Sequence, residues 1–242
     1  WVRVEPGVVL ETLNDHLARW GRMIGPDPSS ANRAVLGGVV ANNATGAHSL
    51  QYGYIADYVQ SLRCVLADGT VTELLNDTPP DDATPAGALA QKVYDLLADQ
   101  QDIIDAAQPT TRRNRCGYSI QNIIRDGRVD LARLVTGSEG TLAVFTEITL
   151  RTVPVPKARG LVQFEFDTFE AMTEAVGVLV DSGAGACELM DGTLMDMARA
   201  AYPKYRDVLA ADCAATLLAE FTADTAAAVD SKLTAAVNAV GG

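Results

Sequence analysis

Two short glycine-bearing segments constrain this 242-residue chain more than any other feature: Leu36-Gly37-Gly38-Val39-Val40-Ala41-Asn42-Asn43-Ala44-Thr45-Gly46 and Gly137-Ser138-Glu139-Gly140-Thr141-Leu142. Each sets small, conformationally free residues beside amide or carboxylate side chains. Backbone N–H groups can then approach a bulky anionic ligand closely while neighbouring side chains fix its orientation. Neither segment is a phosphate loop of the Gly-x-x-x-x-Gly-Lys or Gly-x-Gly-x-x-Gly form, and neither pattern occurs elsewhere in the chain. Each leads into or out of a β-rich stretch, which two unrelated turns would not explain.

The order of the surrounding segments supplies an explanation. Val4-Glu5-Pro6-Gly7-Val8 comes first, and Gly25-Pro26-Asp27-Pro28-Ser29-Ser30 follows a helix. The Leu-Gly-Gly segment, Tyr52-Gly53, Leu66-Ala67-Asp68-Gly69-Thr70, Gly117-Tyr118 and the Gly137–Leu142 segment come next. Residues 1–155 in this order resemble the flavin-binding domain of the vanillyl-alcohol oxidase and p-cresol methylhydroxylase (PCMH-type) family. Within it the chain is most similar to the glycolate oxidase, D-lactate dehydrogenase and D-2-hydroxyglutarate dehydrogenase group of FAD-linked oxidases. From about residue 156 it resembles the start of their substrate-side cap domain.

Composition narrows the field independently. With 19 basic and 31 acidic residues the formal net charge is −12, which argues against a nucleic-acid partner and against a polybasic membrane patch. No apolar run approaches the ~20 residues that span a bilayer. Cys64, Cys116, Cys187 and Cys213 are scattered without a Cys-x-x-Cys pair, so they read as reduced thiols rather than zinc or iron–sulfur ligands, in keeping with a cytoplasmic setting. Trp1 leads directly into a strand-like Trp1–Val4, so the chain reads as a fragment of a longer protein, and peripheral membrane association of the parent stays open.

Periodicity gives an α+β reading. Val8–Trp20 carries Val9, Leu10, Leu13, Leu17 and Trp20 at helical spacing and ends at Gly21. Val59–Leu66 and Val71–Leu75 read as a hairpin around Asp68-Gly69, Thr78–Pro85 as a loop, Ala86–Ala107 as one long helix, and Tyr118–Ile124 as a short helix. Leu142–Val153 reads as a strand, which Pro154 and Pro156 stop. The expected division is therefore 1–156, a PCMH-type FAD-binding domain lacking its first subdomain, and 157–242, the start of the cap. In the second part Leu161–Phe166, Thr168–Asp181, Ala186–Met190, Gly192–Ala201, Ala214–Phe221 and Ala223–Val240 alternate strand and helix, as in a ferredoxin-like α+β sandwich. A closing strand is not among them, so an open sheet edge and self-association are expected.

The resemblance implies FAD as cofactor and hydride transfer to it from a D-2-hydroxy acid such as glycolate, D-lactate or D-2-hydroxyglutarate, with a separate electron acceptor. It places Pro26, Asp27, Ser29 and Ser30 along the diphosphate, the N–H groups of Gly37 and Gly38 facing it, and Leu36, Asn42, Asn43, Thr45 and Gly46 around them. Glu139 and Gly140 would pack on FAD, and the backbone near Ala143 and Val144 would meet the adenine edge. The family's diphosphate loop precedes the Val-Glu-Pro-Gly strand, and its histidine-rich metal segment comes later. Hence no catalytic base and no metal are assigned. Standing alone, Gly37 and Gly38 also suit tight packing, the asparagines suit turns and Glu139 suits a turn cap; Arg112, Arg113 and Arg115 could meet a substrate carboxylate, but solvated helix-flanking charges are favoured. His48 is weighed as a base beside the flavin, but a structural role is favoured. The rival readings are a flavin-free module and an alcohol or aldonolactone oxidase of the same fold.

Overall fold

The computed structural model describes residues 1–111 and 117–241. The chain forms two compact units, one of residues 1–46 and 54–154 and the other of residues 47–53 and 155–242. Relative to the expected division, the second unit also claims Ala47–Gly53.

The first unit is built on a four-stranded antiparallel sheet. Strand β1 (Val2–Val4) is followed by helix α1 (Leu10–Leu17), a 3₁₀ turn through Trp20, and β2 (Arg22–Met23). Leu10, Leu13 and Leu17 put one helical face in the core, and Gly21 ends the helix at φ 63°. No side chain caps the start of α1. Its first N–H groups donate instead to the Ala34 and Ala31 carbonyls, at 3.0 and 3.1 Å, so the Pro28–Ala34 loop is folded back as a cap. Helix α2 (Leu36–Ala41) lies in the first glycine segment, and α3 (Ser49–Tyr52) belongs to the second unit.

Strands β3 (Val59–Leu66) and β4 (Val71–Leu75) form the expected hairpin, with Gly69 at φ 84°. Next come α4 (Pro85–Leu97), α5 (Gln101–Ala106), β5 (Ile124–Arg125), β6 (Arg128–Val129), α6 (Leu131–Val135), β7 (Ala143–Leu150) and β8 (Val153–Pro154). The sheet order is β1-β7-β3-β4, and β2 pairs with β8 separately. Helix α6 packs on β3 and β4, and α4 packs on β4. Leu62, Cys64, Leu74, Ile148 and Leu150 are completely buried. Burial pushes the Cys64 thiol up to about 11, which keeps it protonated and inert near neutral pH.

The second unit contains α3, β9 (Ala158–Phe166), α7 (Phe169–Asp181), β10 (Ala186–Asp191), α8 (Gly192–Ala201), β11 (Ala215–Ala223) and α9 (Ala226–Gly241). Its antiparallel sheet runs β10-β11-β9. Leu217, Ala219 and Phe221 of β11 meet Met172, Ala175 and Leu179 of α7 and Ala236 of α9 in one core. The Thr168 and Asp191 side chains accept from the third residue of α7 and α8, satisfying orphan N–H groups. Leu161–Phe166 and Val144–Leu150 thus lie in different sheets.

Three local expectations are corrected. The long helix over 86–107 breaks at a 3₁₀ turn, Ala98–Gln100, between α4 and α5, where Gln100 leaves helical geometry at φ −108°. The break lets Ile104 bury while Ile103 and Leu96 face solvent. Moreover, α4 packs through Ala86, Gly87 and Ala90, because small residues allow a close approach: a Cβ at Gly87 would overlap the Asp82 carbonyl. The short helix expected over Tyr118–Ile124 is absent. Asn122 is left-handed at φ 57°, and Asp126-Gly127, at φ 50° and 74°, closes the β5–β6 hairpin. That Asp-Gly pair is the sequence signal for it. The strand expected to run to Val153 ends at Leu150, and Val153–Pro154 pairs with β2. There the Arg22 guanidinium donates to both Thr152 Oγ1 and the Thr152 carbonyl.

Asp130 caps α6 by accepting from the Arg133 N–H at 2.7 Å. Its pKa is pushed up to about 6, mainly by burial; that hydrogen bond and the Arg133 and Arg125 charges pull the other way, and Asp77 adds to the rise. The unfolded carboxyl titrates near ~3.9. Between those values the folded protein binds the proton and the unfolded chain does not, so Asp130 makes stability fall as pH rises from about 4 to 6. Asp130→Asn keeps an acceptor for the Arg133 N–H and removes the buried charge. Thermal unfolding from pH 4 to 8 should show that slope reduced and a melting temperature at pH 7 equal to or above wild type. A lower melting temperature at pH 7 with the slope intact would contradict this.

Candidate functional site

The two glycine segments meet at the end of β7. The Gly137 N–H donates to the Val40 carbonyl at 3.0 Å, and the Glu139 N–H to the Ala41 carbonyl at 2.8 Å. Asn43 sits beneath this junction, 3% exposed, with Oδ1 accepting from the Ala56 N–H at 3.1 Å. Four residues here are left-handed: Asn43 at φ 45°, Gly137 at 86°, Glu139 at 54° and Gly140 at 75°. A Cβ on Gly137 would stand 3.1 Å from the Asn43 Cβ, so glycine is needed there for space as well as for φ. Glu139 in this region costs on the order of 1 kcal/mol, an expense that clusters at ligand-binding sites.

Two cavities flank the junction. One, of about 370 Å³, is lined by Pro6, Gly37, Gly38, Ala41, Asn42, Glu139, Gly140, Ala143, Val144 and Phe145. It follows from the strand lengths: β1 pairs β7 only at Ile148–Leu150, so β1 gives no partner to the Ala143–Glu147 stretch on that side. Val144, 66% exposed, stands at this opening. The other cavity, of about 440 Å³, takes in Asn42, Asn43 and Glu139 from the same junction, with Tyr118, Gln121, Asn122 and Arg133 opposite. There the Tyr118 hydroxyl lies 2.9 Å from Thr141 Oγ1, and Arg133 Nη1 donates to Asp57 Oδ1 at 3.0 Å.

The structure thus brings Gly37, Gly38, Asn42, Asn43, Glu139, Gly140 and Val144 to these two cavities; Pro26, Asp27, Ser29, Ser30, Leu36, Thr45 and Gly46 line neither. The glycines divide in the same way. The Gly37 N–H donates to the Pro6 carbonyl at 2.8 Å, so the expectation that it faces a diphosphate is corrected, and a Cβ there would press on Pro6. A Cβ on Gly46 would overlap the Asp27 carbonyl, so Gly46 locks the two loops together. Gly38, in contrast, has only the tip of Val35 near it, at 3.9 Å. Packing within the chain thus gives no reason for glycine at 38. Leu36 is completely buried and its N–H donates to the Val8 carbonyl, so its role is in the core. Asn42 Nδ2 donates to the Gly38 carbonyl at 2.9 Å. The Ser138 hydroxyl is buried without a hydrogen-bond partner among the described residues.

Sequence reasoning missed Pro6, Ala41 and Phe145 as cavity walls, and Arg133 altogether. Pro6 had a signal in the Val-Glu-Pro-Gly segment, and Arg133 had none. His48 lies in the second unit, with Nε2 3.0 Å from Glu220 Oε1. Arg112, Arg113 and Arg115 lie outside the described residues. Among the described residues no group of three His, Cys, Asp or Glu side chains is arranged to hold a metal, and no helix is long and apolar enough to cross a membrane.

An open strand edge, left-handed peptides at 43, 137, 139 and 140 and a glycine facing empty space make this junction the candidate site of the first unit, which one chain joins to an α+β sandwich. Residues 1–75 match the FAD binding domain family, and residues 155–242 match the C-terminal domain of FAD linked oxidases. The chain belongs to the FAD-linked oxidases, and FAD is the cofactor of that family. It is 32% identical to the D-2-hydroxyglutarate dehydrogenase of Pantoea ananatis over 97% of this chain and 24% of that protein. It is 29% identical to the glycolate oxidase subunit GlcD of Escherichia coli K12 over 83% of this chain and 32% of that one. The chain therefore spans a quarter to a third of the length of these relatives. A solved structure of alkyldihydroxyacetonephosphate synthase shares the fold at TM-score 0.66 and 19% identity, over 99% of this chain and 38% of that one.

Two substitutions separate cofactor contact from scaffold. A Cβ at position 38 reaches only the tip of Val35, so the melting temperature of Gly38→Val should stay within a few degrees of wild type while flavin affinity falls at least about tenfold. Gly46→Ala should destabilise by about 1–3 kcal/mol, because its Cβ must displace the Asp27 backbone. Flavin fluorescence titration together with thermal unfolding checks both. Undiminished FAD affinity in Gly38→Val would show that this face does not meet the cofactor.

Proposed function

We propose that this chain is the flavin-cleft and cap-side part of an FAD-dependent dehydrogenase or oxidase acting on a D-2-hydroxy acid of the glycolate, D-lactate or D-2-hydroxyglutarate type, in the cytoplasm, with a separate electron acceptor. The observation that carries the reading is the junction of the two glycine segments beside the uncovered edge of β7. The names of the relatives supply the substrate class.

The residues present fit part of the cofactor. A Cβ on Gly38 would touch only the tip of Val35 and one on Gly140 would meet nothing within 4 Å, so a flat or charged ligand can lie directly on their backbone. Ala143 and Val144 pair with β3 on one side and have no β1 partner on the other, which leaves an edge for a hydrogen-bonding ring, and Asn42 and Glu139 line both cavities. The hydrogen bonds from Gly137 and Glu139 hold these walls before any ligand arrives, which lowers the entropy lost on binding. When bound, FAD supplies the two-electron acceptor that oxidation of an alcohol to a ketone requires. No described residue is assigned as the base.

The test is anaerobic mixing of the FAD-loaded full-length protein that contains this chain with D-2-hydroxyglutarate, D-lactate and glycolate in turn. At least one acid should bleach the visible flavin absorption, and its L-enantiomer, where one exists, should act far more slowly. Loaded protein whose flavin none of the three acids reduces would refute the substrate class.

A further inference from the structure

The larger cavity of the first unit holds a single cation among its described residues. Of those lining either cavity, Arg133 is the only positive side chain and Glu139 the only negative one. The other polar groups in the larger cavity are neutral amides and hydroxyls, among them Asn42, Gln121, Asn122 and Tyr118.

Arg133 is fixed at both ends. Its N–H donates to Asp130 Oδ1 at 2.7 Å, and its Nη1 donates to Asp57 Oδ1 at 3.0 Å. Asp57 is anchored in turn: Oδ2 accepts from the Tyr54 N–H at 3.4 Å, and its carbonyl accepts from Arg151 Nη2 at 3.2 Å. The Arg133 side chain is 23% exposed, whereas that of Asp57 is 42% exposed. Water screens a carboxylate that open, so Asp57 orients the guanidinium while cancelling only part of its charge.

The two cavities share Asn42 and Glu139, so one extended ligand can occupy both. FAD has that form, with a ring system at each end and a diphosphate between. The smaller cavity offers a ring the free edge of β7 at Ala143 and Val144. The larger, about 440 Å³, is left for the other end. Its amides donate and accept at once, as the carbonyl and N–H groups of an isoalloxazine ring require.

Oxidation of a 2-hydroxy acid changes the charge at that ring. The Cα–H bond breaks, the hydride forms a bond to the ring, and the hydroxyl proton leaves separately, so the ring ends one unit more negative. In a chain of net charge −12, with Glu139 in the same cleft, one described cation is there to meet it. Resting on the reading of the first unit as a flavin cleft, we propose that Arg133 balances the charge the ring gains on reduction, with Asp57 aiming the guanidinium and partly offsetting it. A cation oriented in advance favours the reduced ring over the oxidised one and raises the midpoint potential.

The experiment measures that potential by equilibrium dye reduction in the FAD-loaded full-length protein that contains this chain. Wild type is compared with Arg133→Gln, Arg133→Lys and Asp57→Asn; fluorescence titration gives the Kd of oxidised FAD, and thermal unfolding checks the fold. Arg133→Gln should lower the preference for reduced over oxidised flavin about 10- to 100-fold, a fall of about 30 to 60 mV for a two-electron couple. Arg133→Lys keeps the charge and should recover most of that fall. Asp57→Asn should move the potential upward, because it removes the offsetting carboxylate and leaves Arg133 in place. A preference within about twofold of wild type in Arg133→Gln overturns the proposal; weaker binding of oxidised FAD in that case would put Arg133 against the diphosphate instead. An equal fall in Arg133→Lys also overturns it, since charge would not be the cause. If Arg133→Gln holds no flavin, Asp57→Asn decides, and a potential unchanged or lowered there overturns the role. Wild-type protein that never retains FAD overturns the flavin reading itself.

Discussion

The first unit depends on two backbone hydrogen bonds, Gly137 N–H to Val40 and Glu139 N–H to Ala41. They join segments about a hundred positions apart in sequence. Making them requires the chain to turn sharply on both sides, hence the left-handed residues at 43, 137, 139 and 140. Glycine meets that need at two positions without steric cost. At Asn43 a buried side-chain bond to the Ala56 N–H compensates, and at Glu139 the strain is left standing.

Glycine therefore has three separate uses here, and only the structure tells them apart. Gly46 and Gly87 are spacers between backbones, and a methyl group at either would strike a carbonyl. Gly137 is needed both for conformation and for room beside Asn43. Gly38 serves neither purpose within the chain, and that makes it the most informative of them. The adjacent glycines 37 and 38, alike on paper, divide between scaffold and site because α2 turns one toward Pro6 and the other toward open space.

The second unit shows a related division across a sheet. Its helix side is a conventional apolar core, whereas the other side combines Arg159, Glu220, His48 and an exposed Leu161. The strap after Gly46 contributes His48 and Gln51 to this face. Neither the covering of one end nor the openness of the middle follows from alternation along β9 or β11 alone.

Local periodicity and turn chemistry were enough to read α1, the β3–β4 hairpin and the strand–helix alternation after residue 157, because each is a short-range pattern with one apolar face. The convergence of the glycine segments was legible because motif order resembles a known family, although composition by itself allowed turns. Other features depended on distant partners. The break after Leu97 answers to the burial of Ile104, and Arg133 enters the cleft only because α6 packs under β3 and β4. His48 meets Glu220, 172 positions away, within the second unit. Sequence determines which residues are able to turn, bury or carry charge. Tertiary structure decides which of them face one another, since hydrogen bonds and packing act between neighbours in space, whatever their separation along the chain.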